Sequence, residues 1–150
     1  MNTSKETPLT QKMKDYLVGI FHIEEKKPVA RVGEIAAILG VKGPSAHVMV
    51  KMLAGRQLVK HEKYGYINLT DKGREIAVQL KNKDNTIKNF FIKYLGIDEK
   101  TATEDAHKVK NVLSNETFSR IKNFIFFLEN RPDHKEINIP EEVNKFIKEQ

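Results

Sequence analysis

The sequence has no cysteine and no apolar stretch long enough to cross a bilayer, and each absence excludes a class of protein. Without cysteine the chain can form neither a disulfide nor a thiolate metal site, and a reducing compartment is compatible with it. No apolar run is longer than that of residues 124–128, which is far shorter than the roughly 18 residues that a membrane-spanning helix requires. Because residues 1–6 also lack the apolar core of a signal peptide, we expect a cytoplasmic protein with no membrane partner.

Catalytic motifs are missing as well. The chain has no Gly-rich phosphate loop, no HExxH motif and no cysteine nucleophile, and its histidines are scattered. Glu24 and Glu25, close to His22, are interpreted as an ordinary solvated helix end. We therefore expect no enzymatic activity.

Positive charge, in contrast, is abundant and concentrated. The formal net charge is +6 and the pI is near 9.4, which favours a polyanionic partner. Residues 42–63 contain five Lys or Arg residues and a single acid, Glu62. A solvated basic face is the plainer interpretation of any such cluster, so its position among the structural elements decides its meaning.

The order of elements between residues 30 and 76 is typical of a winged helix-turn-helix. Two short amphipathic segments, 31–39 and 44–53, are followed by a β-like pair, 57–61 and 66–69, and then by a long helix that opens near residue 71. In this arrangement the second helix enters the major groove of DNA. The pattern therefore predicts a DNA-binding regulator.

The whole chain is predicted to be mainly α, with an N-terminal winged helix-turn-helix and a C-terminal helical dimerisation domain. A first helix is expected to begin at Thr7 and Pro8, a capping residue followed by proline. The polar stretch 81–85, within the long helix, is interpreted as a solvated connector. The expected domains are a DNA-binding domain (1–81), a dimerisation domain (82–132) and a C-terminal tail with a short helix (133–150).

The second helix of the motif is expected to read DNA with its outward face. Ser45 and His47 carry short polar groups that can reach base edges, while Pro44 and Val48 can touch a thymine methyl group. Cations on the helix and wing are assigned to backbone phosphates, which set position rather than sequence. The expected DNA-binding residues are Lys42, Pro44, Ser45, His47, Val48, Lys51, Arg56, Lys60, Lys63 and Tyr64. The plainer alternative makes His47 a surface residue and Tyr64 a packing residue of the wing.

Aromatic residues dominate the C-terminal half. The predicted helix 114–130 is apolar around most of its circumference and therefore needs two partners, one of which we expect to be a second subunit. The expected dimer-interface residues are Phe90, Phe91, Tyr94, Phe124 and Phe127. An alternative is a small-ligand pocket lined by Phe90, Phe91, Phe118, Phe124, Phe126 and Phe127.

Several short motifs follow one another in a specific order along residues 7–128. They are Asp15-Tyr16, Ala30-Arg31-Val32, Gly43-Pro44-Ser45, Glu62-Lys63-Tyr64, Leu69-Thr70-Asp71-Lys72-Gly73, Leu95-Gly96-Ile97-Asp98 and Leu113-Ser114. In this order and spacing the chain resembles the diphtheria toxin repressor and manganese transport regulator family, in its shorter branch without an SH3-like third domain. The resemblance implies a homodimeric repressor that binds a palindromic DNA operator, with Mn²⁺ or Fe²⁺ held between its domains.

The resemblance also implies metal-ligand positions, most of which carry unsuitable residues here. Asp15 retains an oxygen ligand, and His107 stands where the family has a carboxylate or cysteine. Asn85 and Asn111 replace histidines, and Lys110 replaces a glutamate. An ammonium about 4 Å from a divalent ion would be repelled by roughly 8 kcal/mol at an effective dielectric constant of about 20. We therefore expect no metal cofactor at these vestigial positions.

Three interpretations of Lys110 follow. It replaces the cation by pairing with Asp15, which would tie the domains together without metal, or it points to solvent in a decayed site. In the third, a rearranged site keeps the protein a metal-responsive repressor of metal-uptake genes. The candidate ligands of that site are Asp84, Glu104, Asp105 and His107. A separate alternative is a winged helix that contacts protein rather than DNA, although its basic face favours DNA.

Overall fold

The computed structural model describes residues 7–133 and 137–150, and it confirms the mainly α fold. Its elements are α1 (Gln11–Glu24), β1 (Ala30–Arg31), α2 (Val32–Leu39), α3 (Gly43–Gly55), β2 (Val59–His61), β3 (Tyr66–Leu69), α4 (Asp71–Leu95), α5 (Glu99–Val109), α6 (Asn115–Glu129) and α7 (Ile139–Lys148). They form two compact units, one ending at Lys81 and the other beginning at Asn82, so the boundary falls inside α4. The expectation for residues 1–6, and that for residues 134–136 of the tail, lie outside the described residues.

The core of the first unit lies between the inner faces of α1, α2 and α3. Leu17, Ile20, Ile35, Val50 and Leu53 are fully buried there. Their spacing of three or four residues along each helix puts them on one face. Burying an aliphatic side chain of this size contributes about 1.5–3 kcal/mol, so the contacts hold α3 with its opposite face outward.

A three-stranded antiparallel sheet completes the first unit, in the order β1-β3-β2. The expected wing pair is present, with Val59 opposite Leu69. The sequence did not predict β1, whose Ala30 pairs with Ile67 of β3. A strand of two residues, such as β1, is too short to show a periodic sequence pattern. It forms only because its partner strand lies beside it.

The first helix begins at Gln11 rather than at Thr7 and Pro8. Thr10 is its N-cap, and the hydroxyl oxygen accepts a hydrogen bond from the backbone N–H of Met13 at 3.2 Å. Both threonines are good capping residues, so the local signal is ambiguous. Packing resolves it, because Met13 is buried in the core within the first turn.

Glu24, at the end of α1, is buried, so the interpretation as a solvated helix end is wrong for this residue. Its side chain is 3% exposed and pairs with Arg74 of α4. One carboxylate oxygen also accepts hydrogen bonds from the backbone N–H of Leu69, at 2.8 Å, and from the Asn68 amide, at 3.3 Å. A buried carboxylate is stable only with such partners, and here they join α1, β3 and α4.

The second unit contains the C-terminal part of α4 together with α5, α6 and α7. Asp98 caps α5 by accepting a hydrogen bond from the backbone N–H of Thr101 at 3.0 Å. The hydrogen bonds from Thr101 hold the pKa of the Asp98 carboxyl below its ordinary value. Ser114 caps α6 in the same way, through the N–H of Thr117. These caps fix where α5 and the aromatic-rich α6 begin.

Candidate nucleic-acid interface

α3 has a buried face and a solvent face, as its residue spacing predicts. Ala46, Val50 and Leu53 are buried in the core of the first unit. Ser45 and His47, the side chains expected to reach base edges, are both exposed. The helix can therefore contact an external partner with these polar groups without disturbing the core.

The turn before α3 leaves the N-terminus of this helix free to bind an anion. α2 ends at Gly40, whose φ of 63° lies in the left-handed region that favours glycine. Lys42 is the N-cap of α3 and makes no side-chain capping hydrogen bond, and Pro44 occupies the first turn. The free backbone N–H groups and the positive end of the helix dipole favour a phosphate at this point. Pro44 and Val48 add exposed apolar surface beside it.

The residues expected to contact phosphates differ in their exposure. Those with exposed side chains are Lys42, Lys51, Lys60 and Lys63. Arg56 is half-buried, and its guanidinium donates a hydrogen bond to the backbone carbonyl of Thr7 at 2.7 Å. The lysines are therefore accessible from solvent, whereas Arg56 is already held by a contact within the protein.

The wing lies next to α3 through a contact that the sequence analysis missed. The rings of His47 on α3 and His61 on β2 meet edge-to-face, with 5.6 Å between their centroids. At the tip of the wing Tyr64 is 83% exposed, and Gly65 has a φ of 75° that closes the turn. Such exposure does not fit the alternative in which Tyr64 packs against the wing. The missed residue, His61, carried no signal beyond its place in a basic segment.

Asp15, the retained oxygen ligand, lies in a surface groove of the first unit. This groove has a volume of about 530 Å³, and its lining includes Lys12, Asp15, Lys42 and Ser45. Asp15 also accepts a hydrogen bond from the side chain of Gln11 at 2.9 Å. Its carboxylate therefore has a donor and two neighbouring lysines within its own unit.

The second unit places Lys110 against α4, so the interpretation that this side chain points to solvent is wrong. Lys110 is the C-cap of α5, its side chain is 6% exposed, and Nζ lies 3.1 Å from Oδ2 of Asp84. Nδ1 of His107 lies 3.9 Å from the same oxygen. Lys110 therefore pairs with Asp84, whereas the interpretation in which Lys110 replaces the metal cation expected a pair with Asp15. Asp84 is half-buried, so the stretch 81–85 is not simply a solvated connector.

Two of the remaining vestigial positions carry exposed amides. Asn85 is exposed, and the exposed Asn111 uses its amide to donate a hydrogen bond to the backbone carbonyl of His107 at 3.1 Å. Glu104 and Asp105, candidates for a rearranged site, are also exposed. Across residues 7–133 and 137–150, no three His, Asp or Glu side chains gather as a metal ion would require. Divalent cations need several oxygen or nitrogen ligands, and the donor set here does not fit them.

The expected dimer-interface residues divide between core and surface. Tyr94 is buried within its own unit, and Phe90 and Phe91 are half-buried. Phe124 and Phe127 of α6 are 50% and 59% exposed, respectively. Exposed aromatic groups of this size are typical of an interaction surface, and here they lie on α6.

The six phenylalanines of the expected ligand pocket do not line the cavity found in the second unit. This cavity has a volume of about 260 Å³. Its lining residues are Lys93, Tyr94, Leu128, Arg131, Asp133, Ile137, Asn138 and Ile139, and none of the six phenylalanines proposed for the pocket is among them. The helices of the described ranges include none with the length and apolar composition needed to traverse a bilayer.

Two family models together cover most of the chain. The N-terminal DNA binding domain of the iron dependent repressors matches residues 8–67. The iron dependent repressor metal binding and dimerisation domain matches residues 70–139. The first match contains α3 and the wing, and the second contains Lys110, Asp84 and α6.

Individual proteins agree with these matches. An uncharacterized HTH-type transcriptional regulator of Methanocaldococcus jannaschii is 38% identical over 118 residues, which cover 78% of this chain and 94% of the relative. The HTH-type transcriptional regulator MntR of Bacillus subtilis is 31% identical over 120 residues, covering 80% of this chain and 84% of the relative. Among solved structures, the manganese regulator SloR has a TM-score of 0.67 and 27% identity, over 79% of this chain and 55% of that chain. The chain thus spans about half the length of that solved protein.

Proposed function

Because the chain belongs to the iron-dependent repressor family of transcriptional regulators, we propose that it is a homodimeric repressor that binds a palindromic operator in cytoplasmic DNA. The observation that carries the proposal is the exposed outer face of α3, with Ser45 and His47 on it and the opposite face fixed in the core. We assign no catalytic role to the chain. Its action is binding, and its specificity comes from the contacts that α3 makes.

In the proposed complex, α3 lies in the major groove with its N-terminus toward the backbone. Ser45 and His47 hydrogen-bond to base edges, and Pro44 and Val48 contact apolar parts of the groove, such as thymine methyl groups. The N-terminal N–H groups of α3 receive a phosphate. This division of roles follows from where each side chain lies on the helix, and it predicts that sequence specificity depends on the first two turns of α3.

The exposed lysines of α3 and the wing bind phosphates and fix the position of the protein on the duplex. The proposed contacts are Lys42, Lys51, Lys60 and Lys63, with Tyr64 at the tip of the wing. Arg56 contributes charge nearby, but its hydrogen bond to Thr7 gives it a structural role as well. Phosphate contacts made by lysine carry no sequence information, so they raise affinity for all duplexes alike.

The homodimer is proposed to form through the exposed aromatic surface of α6. Phe124 and Phe127 supply apolar area that a second copy can bury. A palindromic operator follows from such a pair, because two symmetry-related α3 helices read two identical half-sites.

The family's primary Mn²⁺ or Fe²⁺ site is proposed to be non-functional in this protein. Support comes from the chemistry of the residues at those positions, where Asn85 and Asn111 supply amides and Lys110 supplies an ammonium. Neither amide replaces the anionic or imidazole ligands that such ions prefer, and the ammonium repels a cation. DNA binding should therefore be independent of divalent metal.

The proposal is tested by selecting bound duplexes from a random library and measuring their affinity by fluorescence anisotropy. The expected result is an inverted-repeat consensus, bound at least about a thousandfold more tightly than unrelated DNA, with equal affinity in EDTA and in Mn²⁺. A matched variant, Ser45→Ala with His47→Ala, should lose this preference and keep non-specific binding. Selection of no consensus would refute sequence-specific repression, and a tenfold gain in affinity with Mn²⁺ would refute metal independence.

A further inference from the structure

Lys110 is a buried charged residue in the segment that matches the metal-binding and dimerisation domain of the family. Its side chain is 6% exposed, although it ends in an ammonium group. Removing a charge from water is unfavourable unless the protein supplies partners that compensate for the lost hydration. The surroundings of Nζ therefore reveal what keeps this lysine in place.

Compensation comes from α4 and from the end of α5. Nζ donates a hydrogen bond of 3.1 Å to Oδ2 of Asp84, whose side chain is 31% exposed. Lys110 is also the C-cap of α5, where the negative end of the helix dipole favours a cation. His107 lies one turn earlier on α5, with Nδ1 3.9 Å from the same carboxylate oxygen. One carboxylate thus faces two nitrogen-bearing side chains of α5.

The same groups show why a divalent ion is unsuited to this place. Asp84 and His107 can supply two metal ligands. The next polar group beside them is the Lys110 ammonium, which has no lone pair to offer a metal ion. Asn111 directs its amide to the carbonyl of His107. What the residues do provide is a positive charge in contact with the carboxylate of α4.

We propose that the Lys110 ammonium is a covalently tethered substitute for a metal ion, joining α5 to α4 through Asp84 and making the second unit stable without divalent cations. A metal ion in such a place neutralises a carboxylate and links two helices, and a lysine can do both while remaining attached to the chain. This inference deepens the metal independence proposed above, since it names the residue responsible. Its principal test requires no DNA.

The experiment compares thermal unfolding of wild-type protein, Lys110→Met and Lys110→Glu in EDTA and in excess MnCl₂. Lys108→Met is the matched control, because Lys108 lies on the same helix and is exposed. Wild-type protein should unfold at the same temperature in both buffers. Lys110→Met should unfold at least about 3 °C lower than the control in either buffer, because Asp84 loses its counter-charge.

Lys110→Glu provides the complementary result. In EDTA it should be destabilised, because a second carboxylate then faces Asp84. In MnCl₂ it should regain at least about 3 °C, because Asp84, His107 and the new carboxylate form a three-ligand site. Stabilisation of the wild-type protein by MnCl₂ to this extent, or a Lys110→Met variant as stable as the control, would overturn the proposal, as would a Lys110→Glu variant that ignores the metal.

Poor folding of Lys110→Met leaves the inference testable. The double variant Asp84→Asn, Lys110→Met removes both charges and should recover part of the lost stability, because the half-buried carboxylate of Asp84 is no longer left without its counter-charge. A double variant no more stable than the single one contradicts the tethered-cation role. If wild-type protein binds no duplex, the proposed function fails, while these unfolding temperatures still decide the role of Lys110.

Discussion

The salt dependence of DNA binding can be calculated from the exposure of the lysines on α3 and the wing. Lys42, Lys51, Lys60 and Lys63 are exposed in each protomer, and the proposed dimer would therefore bring about eight ammonium groups to phosphates. Each neutralised phosphate contributes about −0.9 to the slope of log K against log salt concentration, which gives a slope of about −7 for the dimer. Affinity should then fall by about 10⁴-fold between 50 and 200 mM salt.

Lys51→Gln tests this count directly. It removes one cation from each protomer, so the slope should become shallower by about 1.8 while the selected consensus stays the same. Lys100→Gln is the matched control, because Lys100 is an exposed lysine on α5 of the second unit, and its slope should equal that of the wild type. Arg56→Gln should mainly lower the unfolding temperature, because the guanidinium bonded to Thr7 supports the fold.

The measurement is fluorescence anisotropy with a labelled duplex over a series of potassium chloride concentrations, with circular dichroism to confirm that each variant is folded. A wild-type slope between 0 and about −2 would refute the assignment of these lysines to phosphates. Equal slopes for Lys51→Gln and the wild type, with a shallower slope for Lys100→Gln, would move the interface away from α3.

Three further predictions concern the scaffold. Gly73→Ala should lower the free energy of unfolding by at least about 1–3 kcal/mol, because a Cβ at this position would lie 1.9 Å from the carbonyl oxygen of Leu58, and unchanged urea unfolding would contradict this. Glu24→Gln should cost about 1–3 kcal/mol in the same assay, since the Arg74 guanidinium and the backbone N–H of Leu69 lose their charged acceptor, while Glu25→Gln should leave the urea midpoint close to that of the wild type. Phe127→Asp should shift the protein from dimer to monomer in sedimentation velocity, and a persistent dimer would exclude α6 as the interface.

Local sequence patterns were sufficient for most of the helical framework. The apolar spacing of α3 predicts its buried face, the glycine at position 40 is of the type that ends a helix, and Asp98 is of the type that caps the start of one. These signals are reliable because each acts within one or two turns of backbone, where dihedral preferences and capping hydrogen bonds are satisfied by neighbouring residues. The predicted start of α1 was wrong for a related reason. Thr7 and Thr10 give the same local signal, and only the burial of Met13 distinguishes them.

Contacts between residues distant in the chain could not be predicted in this way. The strand β1 and the buried state of Glu24 depend on β3 and α4, which lie far away in sequence. A charged residue at a helix end is normally solvated, and no local pattern distinguishes Glu24 from Glu25. His61 was missed similarly, because only the fold brings its ring to His47.

The sequence by itself determined which residues lie on the outer face of α3, because this depends on residue type and helical period. Only the tertiary structure decided what Lys110 does. Its partner, Asp84, is 26 residues away, and whether an ammonium is solvated or buried depends on the packing of α5 against α4. The sequence determines the chemical type of each side chain, whereas the partner of a side chain and its degree of hydration depend on the elements that pack around it.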